Sequence, residues 1–127
     1  KSNMYEMKPW IQGEWGGTET GAALLPLVAY NYSRLLGRER RYEECIEVAE
    51  IGRRCCVSYN RCQVLGGLLL NIACSKHELG EDEEAKEFLI ESYYIYKVME
   101  QSKSCVGVKN YAKETLGLTI EPSPRDK

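Results

Sequence analysis

The sequence predicts an all-α fold of stacked antiparallel helix pairs. Apolar residues recur at helical spacing in five separate stretches, and the pattern repeats after a shift of about 40 residues. Small residues also stand at matching places in each copy.

The stretches run in chain order from about residue 24. Leu25, Val28, Ala29, Tyr32, Ser33 and Leu36 form the first, and Cys45, Val48, Ala49, Gly52, Cys56 and Tyr59 the second. Leu65, Leu68, Leu69, Ile72 and Ala73 give a third, closed by Leu79 and Gly80. Ala85, Phe88, Leu89, Ser92, Tyr96 and Met99 give a fourth, and Cys105, Val108, Tyr111, Ala112 and Leu116 a fifth. Apolar residues three and four apart share one helical face, which must be buried against another element. Gly117 is placed to end the last helix. Before residue 24 the reading is different. Residues 4–11 suit a short helix interrupted by Pro9, and Gln12 to Gly21, rich in glycine, suits a loop. Trp10 and Trp15 are expected to dock on the first helix. The organisation is therefore an extension at 1–23, a helical repeat domain at 24–120 and a polar tail at 121–127.

Shifting the chain by 40 lays Tyr30-Asn31-Tyr32-Ser33 over Leu70-Asn71-Ile72-Ala73, and Tyr42-Glu43-Glu44-Cys45 over Asp82-Glu83-Glu84-Ala85. A further shift of 39 brings Lys109-Asn110-Tyr111-Ala112 onto Leu70-Asn71-Ile72-Ala73. Two full helix pairs and one extra helix follow. Ser33, Ala73 and Ala112, then Cys45 and Ala85, are small where helices must approach closely. Each pair buries its apolar face only against its neighbours, so the last helix acts as a cap.

Composition narrows the function. Hydrophobic residues are 43% and charged residues 28% of 127, as in an ordinary folded domain. The longest apolar run, Val64 to Ala73, is about half of what a membrane span requires. The net charge of −2 lacks the basic footprint of a domain that binds DNA by itself. The chain begins with Lys, which suggests a fragment or processed product. The six cysteines, Cys45, Cys55, Cys56, Cys62, Cys74 and Cys105, contain no C-x-x-C, and His77 is the single histidine, so no metal and no other cofactor is expected. Reduced cysteines serving as small buried hydrophobes fit best, which places the protein in the cytoplasm. With one histidine and no glycine-rich phosphate loop, no catalytic constellation is visible, and the chain is not expected to be an enzyme. Glu81-Asp82-Glu83-Glu84 suits the first turn of a helix, where carboxylates complement the dipole. Arg38-Glu39-Arg40-Arg41 suits a solvated junction with local ion pairs, with a contact to DNA or to a DNA-binding domain as the alternative.

The phrases Leu69-Leu70-Asn71-Ile72-Ala73 and Glu78-Leu79-Gly80-Glu81-Asp82-Glu83-Glu84-Ala85 resemble the tetratricopeptide motif. The earlier copy departs from it: Arg40 stands where the turn glycine belongs, and Gly37 lies three residues early. The period of about 40 also exceeds the usual 34 or so. More narrowly, Tyr30 to Gly37 and Arg41 to Glu47 look like the C-terminal repeat region of helix-turn-helix transcriptional regulators of clostridia and related Gram-positive bacteria. The resemblance implies a right-handed superhelix of helix pairs. It also implies a regulatory, peptide-binding and dimerising domain, with DNA bound only through a separate N-terminal part. A free-standing protein–protein adaptor is the alternative.

Asn31, Asn71 and Asn110 hold equivalent places on first helices. One reading has each amide bonding within or between repeats. The other follows from the resemblance, since tetratricopeptide domains that clamp a peptide carboxylate use Asn here with nearby basic residues. It makes Asn31, Asn71 and Asn110 peptide-binding, with Arg34, Lys109 and Lys113 supplying charge and Tyr30 and Leu70 apolar contact; His77 faces the same side. Tyr93, Tyr94 and Tyr96 suit core packing, with a homodimer contact as the alternative.

Overall fold

The computed structural model describes residues 19–59 and 64–120. The expected short helix at 4–11, the docking of Trp10 and Trp15, Cys62 and the tail from 121 lie outside them. Five helices and no strand are present among the described residues: α1 (Glu19–Arg38), α2 (Tyr42–Tyr59), α3 (Leu65–Glu78), α4 (Asp82–Val98) and α5 (Ser102–Leu116). None is long and apolar enough to cross a membrane.

The helices pack as adjacent pairs. α1 lies on α2, α3 on α4, and α2 on α3, while α1 also touches α3 and α4 touches α5. The expected stripes make the core. Leu25, Ala29, Ser33 and Leu36 of α1 are buried, as are Cys45, Val48, Ala49, Gly52 and Cys56 of α2. With Leu65, Leu68, Leu69 and Ile72 of α3 most of these form one apolar cluster. Ala73, Leu89, Tyr93, Tyr96, Val108, Ala112 and Ile120 form a second, and Phe88 packs against both. The small residues that repeat along the sequence, Ser33, Cys45, Ala73, Ala85 and Ala112, are all buried.

α1 begins at Glu19, five residues before the expected start. Thr20 and Gly21, expected in a loop, are helical. Ala22 and Ala23 are strong helix formers, so the helix extends back past the glycine.

The turns repeat more faithfully than the side chains. Each of the first, third and fourth helices ends in one left-handed residue: Arg40 (φ 63°), Gly80 (φ 83°) and Glu100 (φ 56°). In each turn the next residue donates its N–H five positions back, Arg41 to Leu36 (2.9 Å), Glu81 to Lys76 (2.8 Å) and Gln101 to Tyr96 (2.9 Å). A second bond spanning three residues closes beside it, from Arg40 to Gly37, Gly80 to His77 and Glu100 to Lys97. This is the Schellman arrangement, which satisfies carbonyls the helix end leaves open. Arg40 therefore occupies the glycine position itself, and Gly37 is an ordinary helical residue. Gly117 (φ 63°) ends α5, as its place in the sequence suggests.

Candidate functional groove

α1 and α3 lie side by side, with the start of α2 behind them and Tyr111 of α5 at one end. Between them is a groove of about 300 Å³, whose walls include Arg34, Arg38, Tyr42, Cys74, Glu78 and Tyr111. Asn71, Ser33 and Cys45 form part of its floor.

Asn71 holds the two helices together. Its amide donates to the Tyr30 carbonyl (3.3 Å) and to the Ser33 hydroxyl (2.9 Å), joining α3 to α1. Ser33 in turn donates to the Tyr30 carbonyl at 3.1 Å. The Cys45 thiol approaches the Asn71 carbonyl at 3.8 Å, which adds α2 to the same junction. Of the two readings of this asparagine, the interhelical one describes what its amide nitrogen does.

Charge divides the groove lengthwise. Arg34 and Arg38 stand one turn apart on α1, exposed and in no ion pair among the described residues. Glu78 faces them from α3. The Cys74 thiol and the Tyr111 hydroxyl stand together on the groove's lining. Burial raises the pKa of both groups, so both stay protonated at neutral pH. The groove therefore offers cations on one wall, a carboxylate on the other and neutral donors at its end.

The other expected site residues fall elsewhere. Asn31, Asn110 and Lys113 are exposed and Lys109 is half-buried, and none of them is among the groove's walls. Tyr30 rests its ring against Gly67 of α3, and Leu70 packs with the second apolar cluster. His77 Nδ1 lies 2.8 Å from Asp82 Oδ1, bracing the α3–α4 turn. Arg38, Tyr42, Glu78 and Tyr111 escaped the sequence reading. The spacing of Arg34 and Arg38 is the available signal, but in sequence the Arg38-to-Arg41 run suits a junction first and a contact with DNA second. The junction reading does hold for Arg41, which pairs with Glu44.

α5 explains the missing row of asparagines. Its positions facing α4, Val108 and Ala112, are buried like their counterparts Leu69 and Ala73. The positions matching Gly67, Asn71 and Ser75 of α3 are Val106, Asn110 and Glu114, and all three are exposed. A valine and a carboxylate cannot replace a glycine and a serine at a close helix contact, so α5 packs on α4 and hardly on α3.

Among the described residues no group of three or more His, Cys, Asp and Glu is placed to hold a metal ion. Cys45, Cys55, Cys56, Cys74 and Cys105 are reduced. No protein-family model matches the chain, and neither does any curated protein or solved structure.

Proposed function

We propose that this domain is a binding module without a reaction of its own, and that its groove takes the carboxyl end of an extended peptide. The observation that carries this reading is the pair Arg34 and Arg38, set one turn apart on a groove wall in a chain of net charge −2. A local reversal of sign inside a concave surface concentrates the field on an anion. Two guanidinium groups can each make charge-assisted bonds to a carboxylate. Glu78 on the opposite wall is placed to accept main-chain N–H groups, and Tyr42 and Tyr111 supply apolar area. A volume of about 300 Å³ suits the end of a chain rather than its length.

The setting we propose is the regulatory and dimerising part of a helix-turn-helix transcriptional regulator, with DNA bound by a separate N-terminal domain. It rests on the resemblance of Tyr30 to Gly37 and Arg41 to Glu47 to such proteins. Reduced thiols at five positions favour the cytoplasm.

The groove is tested with a random hexapeptide pool carrying free or amidated carboxyl ends, read by fluorescence anisotropy. Free-acid peptides are expected to bind, and Arg34→Ala or Arg38→Ala to weaken them about tenfold each. Equal binding of amidated peptides, or none by either pool, would overturn the proposal.

A further inference from the structure

The carboxylate in the groove stands where a helix disfavours one. Glu78 is the last residue of α3. The closing turn of a helix is the negative end of its dipole, so a basic side chain is favoured there and an acidic one is not. The two basic residues before it are engaged elsewhere. Lys76 is held by Glu81 at 3.1 Å and by Glu84 at 3.0 Å, and His77 Nδ1 lies 2.8 Å from Asp82 Oδ1. Glu78 itself is exposed and makes no ion pair among the described residues. An unpaired carboxylate at the negative end of a helix attracts a cation from outside the chain.

The groove presents this carboxylate opposite two guanidinium groups. Arg34 and Arg38 stand on one wall and Glu78 on the other. Glu78 is close enough to Cys74 and Tyr111 for its charge to act on both side chains. Those two groups stay protonated and add no charge of their own. A tyrosine ring beside a carboxylate is a favourable surface for an ammonium or a guanidinium. A peptide that offers only its terminal carboxylate uses the arginine wall alone. One whose last residue is Lys or Arg joins a carboxylate and a cation by a single flexible stem, and so uses both walls. An acidic last residue sets its second carboxylate against Glu78, which is repulsive.

We propose that the groove selects peptides whose carboxyl-terminal residue is basic, with Arg34 and Arg38 holding the terminal carboxylate and Glu78 the side-chain cation. This rests on the reading of the groove as a site for a carboxyl terminus and adds the identity of the last residue. The two oxygens of Glu78 have capacity for main-chain N–H groups and for the cation together. A purely structural role, in which Glu78 only steadies the arginines across the groove, predicts something else. Losing its charge would then change the affinity of every peptide by the same factor.

The test uses fluorescein-labelled hexapeptides of one sequence that differ only in the last residue: Lys, Nε-acetyl-lysine or Glu. Each is prepared as free acid and as amide and read by anisotropy at neutral pH. Acetyl-lysine keeps the stem and removes the charge. The unaltered chain should bind the free-acid Lys peptide about fivefold tighter than the acetyl-lysine peptide, with the Glu peptide weakest. Glu78→Gln should shrink the Lys preference to within about twofold, and Glu78→Lys should invert the order so that the Glu peptide binds best. Each protein is compared with itself across peptides, so a change in its stability leaves the ratios intact. Equal affinities for the Lys and acetyl-lysine peptides, or a preference that survives Glu78→Gln, would overturn this inference, while loss of binding on amidation would still uphold the carboxyl-terminus site. Binding indifferent to amidation, or none at all, would overturn both.

Discussion

The side-chain amide of Asn71 ties α3 to α1, and its removal should be felt as stability. Asn71→Ala would take its donor from the Ser33 hydroxyl and leave the Tyr30 carbonyl with the Ser33 hydroxyl as its side-chain donor, in a site closed by α1, α2 and α3. Losing such bonds costs about 1–2 kcal/mol, or roughly 4–8 °C of melting temperature per kcal/mol in a domain of this size. A thermal melt unchanged within a degree or so would count against the interhelical role. The turn residues make the converse case. Arg40 and Gly80 share one left-handed conformation, but only Arg40 carries a Cβ that disfavours it. Arg40→Gly should raise stability by about 0.5–1 kcal/mol, and Gly80→Ala should lower it by about as much. A Cβ at Gly80 meets nothing within 4 Å, so that loss is conformational and not steric. Denaturant midpoints moving in the same direction for both variants would contradict the matched turns. These residues also mark what could be read in advance. Asn31, Asn71 and Asn110 align in sequence, and Arg40 aligns with Gly80. Alignment locates a position on a helix but does not fix which neighbour stands opposite. Among the described residues only Asn71 has the first helix of the preceding repeat, α1, packed against it.

At the scale of single helices, the pattern of apolar residues was the legible part. Every residue of the third stripe from Leu65 to Ala73 is buried in α3, because a central helix has neighbours on most of its circumference. The less legible part was how closely that helix is approached. Gly66 and Gly67 lie under the rings of Tyr96 and Tyr30, from opposite sides of the array. A glycine pair inside an apolar helix reads as a weak point in propensity, whereas here its missing side chains make room for two aromatic rings. Gly67→Ala would drive a methyl group into the Tyr30 ring and should cost about 1–3 kcal/mol. Gly107 of α5 is the control, because a Cβ there meets nothing within 4 Å. Gly107→Ala should raise stability by about 0.5–1 kcal/mol from helix propensity alone. Urea unfolding of the two variants separates packing from propensity, and a stabilising Gly67→Ala would refute the close contact. The same logic shows why the groove was half read. Arg34 lies on α1, whose register the stripes define, but Tyr111 reaches the groove only because α5 departs from the packing of α3.

For the whole molecule, the buried titratable groups set how stability responds to alkali. Burial, helped by Tyr30 and Cys105 nearby, raises the Tyr96 phenol to about 12, and burial with Cys74 beside it raises Tyr111 as well. Burial also raises the thiols of Cys45, Cys55 and Cys74 above their ordinary value of 9.0. Lys76 is raised too, chiefly by its hydrogen bond to Glu84. In each case the folded state holds its proton more tightly than the unfolded chain. Between the unfolded and folded pKa values the native state binds more protons, so stability falls as pH rises. The stabilisation is complete below the unfolded thiol range, begins to fade near pH 9 as unfolded thiols ionise, and is lost more steeply above about pH 10, where phenols and lysine of the unfolded chain ionise. These groups are spread over both apolar clusters, on α2, α3, α4 and α5, so the loss should appear as one cooperative shift of the unfolding midpoint. Urea midpoints measured from neutral pH upward should be level to about pH 8 and then decline. Tyr96→Phe combined with Tyr111→Phe removes two of the titrating groups and keeps the rings. That variant should follow the unaltered chain through the thiol range and fall less steeply above pH 10 or so. Parallel curves for the two proteins up to pH 11 or so would show that the phenols are not held protonated by the fold.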